Sequence, residues 1–151
     1  MFDLTELYQE VILDHNKSPR NFGPMTPPPT HQAEGYNPLC GDRFTVYIRL
    51  NGDVIEEIRF EGHGCAISKA SASMMTEALQ GMDREQAESL FAEIHDMLTG
   101  KRALDALDTD KLDKLVVLSG VCEFPVRVKC ATLAWHAVHS ALKAQGPTTT
   151  E

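Results

Sequence analysis

No stretch of the 151-residue chain is apolar for long enough to span a bilayer, and no basic run offsets its net charge of −8. The first absence argues against a membrane-spanning helix. The second argues against nucleic acid or an anionic membrane as partner, because both call for clustered lysine and arginine. The opening residues Met1-Phe2-Asp3-Leu4-Thr5-Glu6 lack the basic-then-apolar order of a secretory signal, so a cytoplasmic location is expected. Internal repeats are missing too. Cysteine is scarce: Cys40, Cys65, Cys122 and Cys130 are the whole set, and no two form a Cys-x-x-Cys pair. Zinc-finger spacing is therefore absent. In a reducing compartment, four scattered cysteines point to metal ligands or reactive thiols before disulfides.

What is present suits one domain of ordinary composition, with 42% hydrophobic and 24% charged residues. We expect a single domain over residues 1–145 and a disordered tail over 146–151. Leu4, Leu7, Tyr8, Val11 and Ile12 recur at helical spacing over residues 3–15, with Asp3 as N-cap and Glu6 closing a capping box. Pro19 ends that helix, and the prolines between residues 16 and 30 forbid regular structure. Residues 31–36 suit a short edge strand. Phe44, Val46, Ile48 and Leu50 then alternate with polar residues, Asn51-Gly52-Asp53 turns the chain, and Val54–Phe60 returns. A three-residue turn pairs Leu50 with Val54, Val46 with Ile58 and Phe44 with Phe60, putting all of them on one face but leaving Glu56 on the core side. Helical patterns follow over about 66–79, 84–98, 108–119 and 125–144, with Gly100 and Gly120 as stops and Pro125 at a helix start. The fold class expected is α+β: a small antiparallel sheet of two to three strands covered by about five helices.

One stretch organises the chemistry. Phe60-Glu61-Gly62-His63-Gly64-Cys65 closes a strand, turns through two glycines and delivers a cysteine to a helix N-terminus, where backbone N–H groups and the dipole favour the thiolate. Cys40 and Asp42 enter the preceding strand as alternate residues, so their side chains share a direction. The hairpin brings them to the same sheet end as Cys65. Cys130 shares a helical face with Val126, Leu133, Ala134 and Ala137 and points toward the core, with the cations Arg127 and Lys129 beside it. Three thiolates and one carboxylate suit Zn²⁺, and thiolates also suit iron–sulfur clusters. From spacing alone, a metal site and four core cysteines both stand. Cys122 lies beyond the Gly120 break and reads as a bystander. His63 reads as a solvated loop histidine, His136 and His139 as surface residues, Met74, Met75 and Trp135 as packing.

Three segments resemble the U-type iron–sulfur cluster assembly family (IscU/SufU). They are Asn37-Pro38-Leu39-Cys40-Gly41-Asp42, Phe60-Glu61-Gly62-His63-Gly64-Cys65-Ala66-Ile67-Ser68, and Arg127-Val128-Lys129-Cys130-Ala131-Thr132-Leu133-Ala134-Trp135. Leu7-Tyr8 to His15 and Pro19-Arg20-Asn21-Phe22-Gly23 fit as well, so the likeness runs nearly end to end. The scaffold branch, IscU, places a histidine before its third cysteine and a Leu-Pro-Pro-Val-Lys-type stretch that recruits an Hsp70 chaperone. Here Lys129 and Glu123-Phe124-Pro125-Val126-Arg127 stand instead, so no Hsp70 partner is expected. Residues 81–119 look like the longer middle of the SufU branch. The resemblance therefore implies Zn²⁺ on Cys40, Asp42, Cys65 and Cys130. It implies a sulfur acceptor, or sulfurtransferase, that takes persulfide sulfur from a PLP-dependent (SufS-like) cysteine desulfurase and serves downstream iron–sulfur scaffold proteins. Cys40 is the implied acceptor thiol, released from the metal as a partner histidine replaces it. The alternative implied function is a scaffold that builds and passes on a [2Fe–2S] cluster.

Overall fold

The computed structural model describes residues 4–25, 29–38, 41–143 and 148–149. The order is α1 (Leu4–Lys17), β1 (His31–Asn37), β2 (Asp42–Asn51), β3 (Val54–His63), α2 (Ala66–Leu79), α3 (Arg84–Thr99), a 3₁₀ turn (Leu104–Ala106), α4 (Thr109–Leu112), a 3₁₀ stretch (Asp113–Glu123), α5 (Pro125–Leu142) and β4 (Thr148–Thr149). The sheet runs β3-β2-β1-β4. Its first three strands are antiparallel, and β4 adds a short parallel pairing of Thr148–Thr149 with Gly35 and Tyr36. The remaining tail residues and the Asp3 cap lie outside the described residues. Helices α2 and α5 pack together on one face of the sheet, and α1 and α3 buttress them. This is the expected α+β arrangement. Among the described residues, no helix is long and apolar enough to cross a membrane.

The hairpin register corrects the expectation. Only Gly52 and Asp53 separate the paired Asn51 and Val54, and a β-bulge between Arg49 and Leu50 shifts the ladder. Ile48 then faces Ile58, Val46 faces Phe60 and Phe44 faces Gly62. Phe44, Val46, Ile48, Ile55, Ile58 and Phe60 are all fully buried. The extra residue restores the parity that a two-residue turn breaks. It also turns Glu56 out to solvent, removing the oddity of a carboxylate on the core face, and leaves Val54 43% exposed.

The other departure is residues 108–119. A short α4 ends at Asp113, whose φ of 48° breaks the right-handed path. The chain then runs as 3₁₀ helix straight through Gly120 to Glu123. Leu112, Leu115, Leu118 and Val121 are all buried, a spacing of three that matches three residues per turn.

The small residues of α2 have a clear use. Ser71 Oγ donates to the Ala131 carbonyl of α5 at 2.6 Å and accepts from the Trp135 indole N–H at 3.2 Å. Ser73 Oγ meets His15 Nδ1 of α1 at 2.7 Å and accepts the Arg20 backbone N–H at 2.8 Å. Buried hydroxyls thus tie α2 to both neighbours, and their small size lets the helices approach closely. Met74, Met75 and Trp135 are buried packing residues, as expected.

Candidate metal centre

The site forms where β1, β2, β3, α2 and α5 meet. Asp42 opens β2 and is fully buried. The two-residue shift of register sets Arg43 beside His63, so Asp42 falls next to Gly64 and Cys65. Asp42 Oδ1 accepts the Cys65 backbone N–H at 2.9 Å, and its Oδ2 lies 3.9 Å from Cys65 Sγ. Two glycines make this approach feasible. Gly62 has φ of 134°, and a Cβ there would stand 2.1 Å from the Arg43 carbonyl oxygen. A Cβ on Gly64 would stand 2.7 Å from Ser68 Oγ and 2.8 Å from Asp42 Oδ1.

Cys65 is the N-cap of α2. Its sulfur accepts the Ser68 backbone N–H at 3.5 Å and lies 3.4 Å from Ser68 Oγ. These contacts act on its acidity. The Cys65 thiol is lowered to about 6, first by hydrogen bonding with Cys130 and then by Ser68, against burial and the Asp42 charge. Cys130, buried on α5, receives the Asn37 side-chain N–H at 3.8 Å. Tyr8 of α1 faces the same atoms: burial raises its phenol, hydrogen-bonded Arg127 opposes the rise, and charge on Cys65 and Cys130 adds to it.

One donor atom each from Asp42, Cys65 and Cys130 lies within 4.8 Å of the others. A tetrahedral zinc with bonds of about 2.0–2.3 Å separates neighbouring donors by about 3.3–3.8 Å. The trio therefore fits such an ion after closing by at most about 1–1.5 Å, and two thiols with a carboxylate is a donor set zinc accepts. Cys40 lies outside the described residues, as does the Cys122 side chain. Gly41 does donate its backbone N–H to the Asn37 carbonyl at 2.8 Å. His63 is exposed and stands apart from the trio. His136 and His139 are half-buried instead of on the open surface, stacked or edge-on against Phe91 and His95. Asn37, Ser68 and Tyr8 were not read as site residues from sequence. Register arithmetic finds the first, since Asn37 pairs with Asp42.

Residues 7–146 match the NifU-like N-terminal domain. The chain belongs to that family. Members similar to this NifU-like chain include the zinc-dependent sulfurtransferase SufU of Bacillus subtilis, 44% identical over 93% of this chain and 92% of that protein. The iron–sulfur cluster assembly scaffold protein IscU of Streptococcus pyogenes is 39% identical over 93% of this chain and 85% of its own length. A crystal structure of a candidate assembly scaffold protein for the SUF system from Fervidobacterium islandicum superposes with a TM-score of 0.83 at 34% identity, covering 91% of this chain and 97% of that one.

Proposed function

We propose that this chain is a zinc-dependent sulfur acceptor that takes persulfide sulfur from a PLP-dependent cysteine desulfurase for iron–sulfur cluster assembly. The observation that carries the reading is the convergence of Asp42, Cys65 and Cys130 from three separate elements onto one point. Similarity to a zinc-dependent sulfurtransferase supports zinc in particular. Asp42, Cys65 and Cys130 would hold the ion, with Cys40 as fourth donor by resemblance. Bound there, zinc supplies Lewis acidity that keeps thiols deprotonated at neutral pH without any redox chemistry.

The chain's own residues do the rest. The Cys40 thiolate attacks the terminal sulfur of the desulfurase persulfide. Its new S–S bond forms as the old one breaks, the electron pair leaves on the desulfurase cysteine as thiolate, and no oxidant is consumed. Cys65 caps α2 and Cys130 rides on α5, whereas Cys40 falls in the sequence after β1 and before β2, beside Gly41, and by resemblance Cys40 is the thiol that leaves the set. Ser68 and Asn37 hold the two remaining sulfurs by hydrogen bonds. The experiment is cysteine turnover by a desulfurase with and without this protein, paired with elemental analysis. Stimulation by colourless, zinc-containing protein, lost in Cys40→Ala, is expected. A brown protein carrying iron and sulfide points instead to the cluster scaffold, the function that the name of the Streptococcus relative states.

A further inference from the structure

We propose that a cavity between α1, α2 and the 3₁₀ stretch is a binding site for a neutral aromatic small molecule bearing one hydrogen-bond acceptor. The cavity measures about 700 Å³, within the range of sites that enclose small ligands. Its apolar lining comes from three directions. Leu7 and Val11 lie on α1, Met74 and Ala78 on α2, and Leu112 and Leu115 where α4 gives way to the 3₁₀ stretch. Close-packed interiors leave few voids larger than a water molecule, so an apolar-walled space of this size suits an occupant. The place is distinct from the metal site. Asp42, Cys65 and Cys130 take no part in its lining, and α1 serves both, with Tyr8 toward the thiols and Leu7 and Val11 toward the cavity.

One buried polar group sets what the ligand must offer. His15 lines the cavity and is 7% exposed. Its Nδ1 lies 2.7 Å from Ser73 Oγ, which also accepts the Arg20 backbone N–H. Of those two partners, Nδ1 alone can accept the hydroxyl hydrogen, so the ring proton sits on Nε2. Burial first, and then the charge of Arg20, lower the His15 pKa, which keeps the ring neutral at pH 7. Among the described residues, Nε2 has no acceptor within hydrogen-bond distance. Glu77 Oε1 is 3.6 Å away on a side chain 46% exposed to water. A buried N–H short of a partner carries a desolvation cost that an acceptor on a ligand removes.

Two further features choose between ligand classes. Charge around the cavity balances: Asp14, Glu77 and Asp113 stand against Arg20, Lys111 and Lys114, and Asp14 and Arg20 neutralise each other at 2.6 Å. No surplus of either sign among these lining residues draws in a phosphate, a carboxylate or an ammonium group. Met74 and Met82 place two thioethers on the wall. Thioether sulfur makes favourable contacts with aromatic rings, and the unbranched methionine side chain adapts to their shape. A neutral ring system with one carbonyl therefore meets the thioethers with its face and His15 Nε2 with its oxygen.

The test titrates the full-length chain with prodan, a neutral naphthalene ketone whose emission moves to the blue in apolar surroundings. Saturable one-to-one binding is expected, with a Kd of about 10–200 µM. Ala78→Phe fills the cavity from α2 and is expected to weaken binding at least about tenfold. His15→Leu keeps the apolar volume but removes the donor. Its affinity should fall about three- to tenfold, with bound emission further to the blue because the carbonyl has lost its hydrogen bond. Anilinonaphthalene sulfonate, similar in size but anionic, is expected to bind at least about tenfold more weakly than prodan. Val54→Ser, at an exposed apolar residue outside the cavity, leaves the Kd within about twofold. Absence of saturable binding by wild type overturns the site, as does undiminished binding by a folded Ala78→Phe. Equal binding of the sulfonate overturns the neutral ligand class. Unchanged affinity and emission in His15→Leu overturns the role of Nε2. Melting temperature confirms intact variants. The gentler Ala78→Leu is expected to weaken binding in the same direction, and no weakening from it in a folded protein counts against the site.

Discussion

Asp42 holds Cys65 through the backbone: its Oδ1 accepts the Cys65 N–H at 2.9 Å while Oδ2 stays 3.9 Å from the sulfur. One carboxylate thus fixes the start of α2 and leaves its second oxygen toward the sulfur, where the proposed metal would use it. The two roles separate by substitution. Asp42→Asn keeps an acceptor for the N–H but loses the charge, so its fold is expected to survive while zinc affinity falls by about tenfold or more. Asp42→Ala also strands a buried N–H and is expected to cost a further 1–3 kcal/mol or so of stability. Chelator competition and thermal melting of both variants check the split. Equal melting temperatures for the two would contradict it.

Asn37 has the matching task at Cys130. A buried side-chain amide that donates to the sulfur at 3.8 Å stabilises the thiolate and fixes its direction. Asn37→Ala is expected to weaken zinc binding by about 10–100-fold. In cobalt-substituted protein it should also shift the thiolate-to-metal absorption band, a signature that simple loosening of the loop does not give.

The two glycines before Cys65 differ in what a methyl would do. At Gly62 the nearest obstacle is backbone, the Arg43 carbonyl oxygen at 2.1 Å, and φ is already 134°. At Gly64 the obstacles are Ser68 Oγ, Asp42 Oδ1 and the Phe44 ring, the first two belonging to the site. Gly62→Ala is expected to destabilise the fold by about 2–4 kcal/mol. Gly64→Ala should displace the Asp42 and Ser68 side chains, so that its loss shows chiefly in metal content. Melting and metal analysis of the pair give opposite rankings if this is right.

Much of this architecture is readable from residue order. Alternation in Phe44, Val46 and Ile48 identifies the core strand, and the glycine turn before Cys65 locates the site. The bulge is harder, because alternation alone assumes an uninterrupted ladder. Yet Ile55 and Ile58, both buried and three apart, cannot share a sheet face without an extra residue between them. The 3₁₀ stretch hid in a similar way. Leu112, Leu115 and Leu118 satisfy an i, i+3 pattern that an α-helix also uses, and only the positive φ of Asp113 separates the two. Tyr8 and Ser68 were illegible as site residues, since nothing local marks a core-facing tyrosine or a helix-start serine as neighbour to a thiol.

His15 makes stability depend on pH. It is 7% exposed, and its pKa is lowered by burial first and then by the charges of Arg20 and Lys114, against Glu77 and Asp14. The unfolded chain binds a proton near the ordinary value of about 6.5, and the folded chain resists it. Stability is therefore full above that value and falls as pH drops below it, because the unfolded state takes up the extra proton. His136, lowered by burial and by His95 and His139, acts in the same direction. His15→Gln is expected to flatten, not abolish, the fall in melting temperature between about pH 7 and pH 5.5. Loss of metal from the proposed site on acidification would be common to both proteins, so their difference isolates His15. Parallel curves would reject the assignment.

Ser71 links the two helices that carry Cys65 and Cys130, and so ties stability to site geometry. Its hydroxyl donates to the Ala131 carbonyl, one residue beyond Cys130, and accepts the indole N–H of fully buried Trp135. Ser71→Ala leaves that N–H and that carbonyl each short of a partner, at a cost of about 1–3 kcal/mol. Ser71→Cys keeps the volume but bonds weakly, so it should fall between. Trp135 is the chain's single tryptophan, and its fluorescence reports the change directly: losing the bond moves its emission before any unfolding. With α2 and α5 no longer pinned at this point, zinc affinity should drop alongside stability. A Ser71→Ala protein with wild-type melting and emission would show that the bond to the indole contributes nothing to holding the helices together.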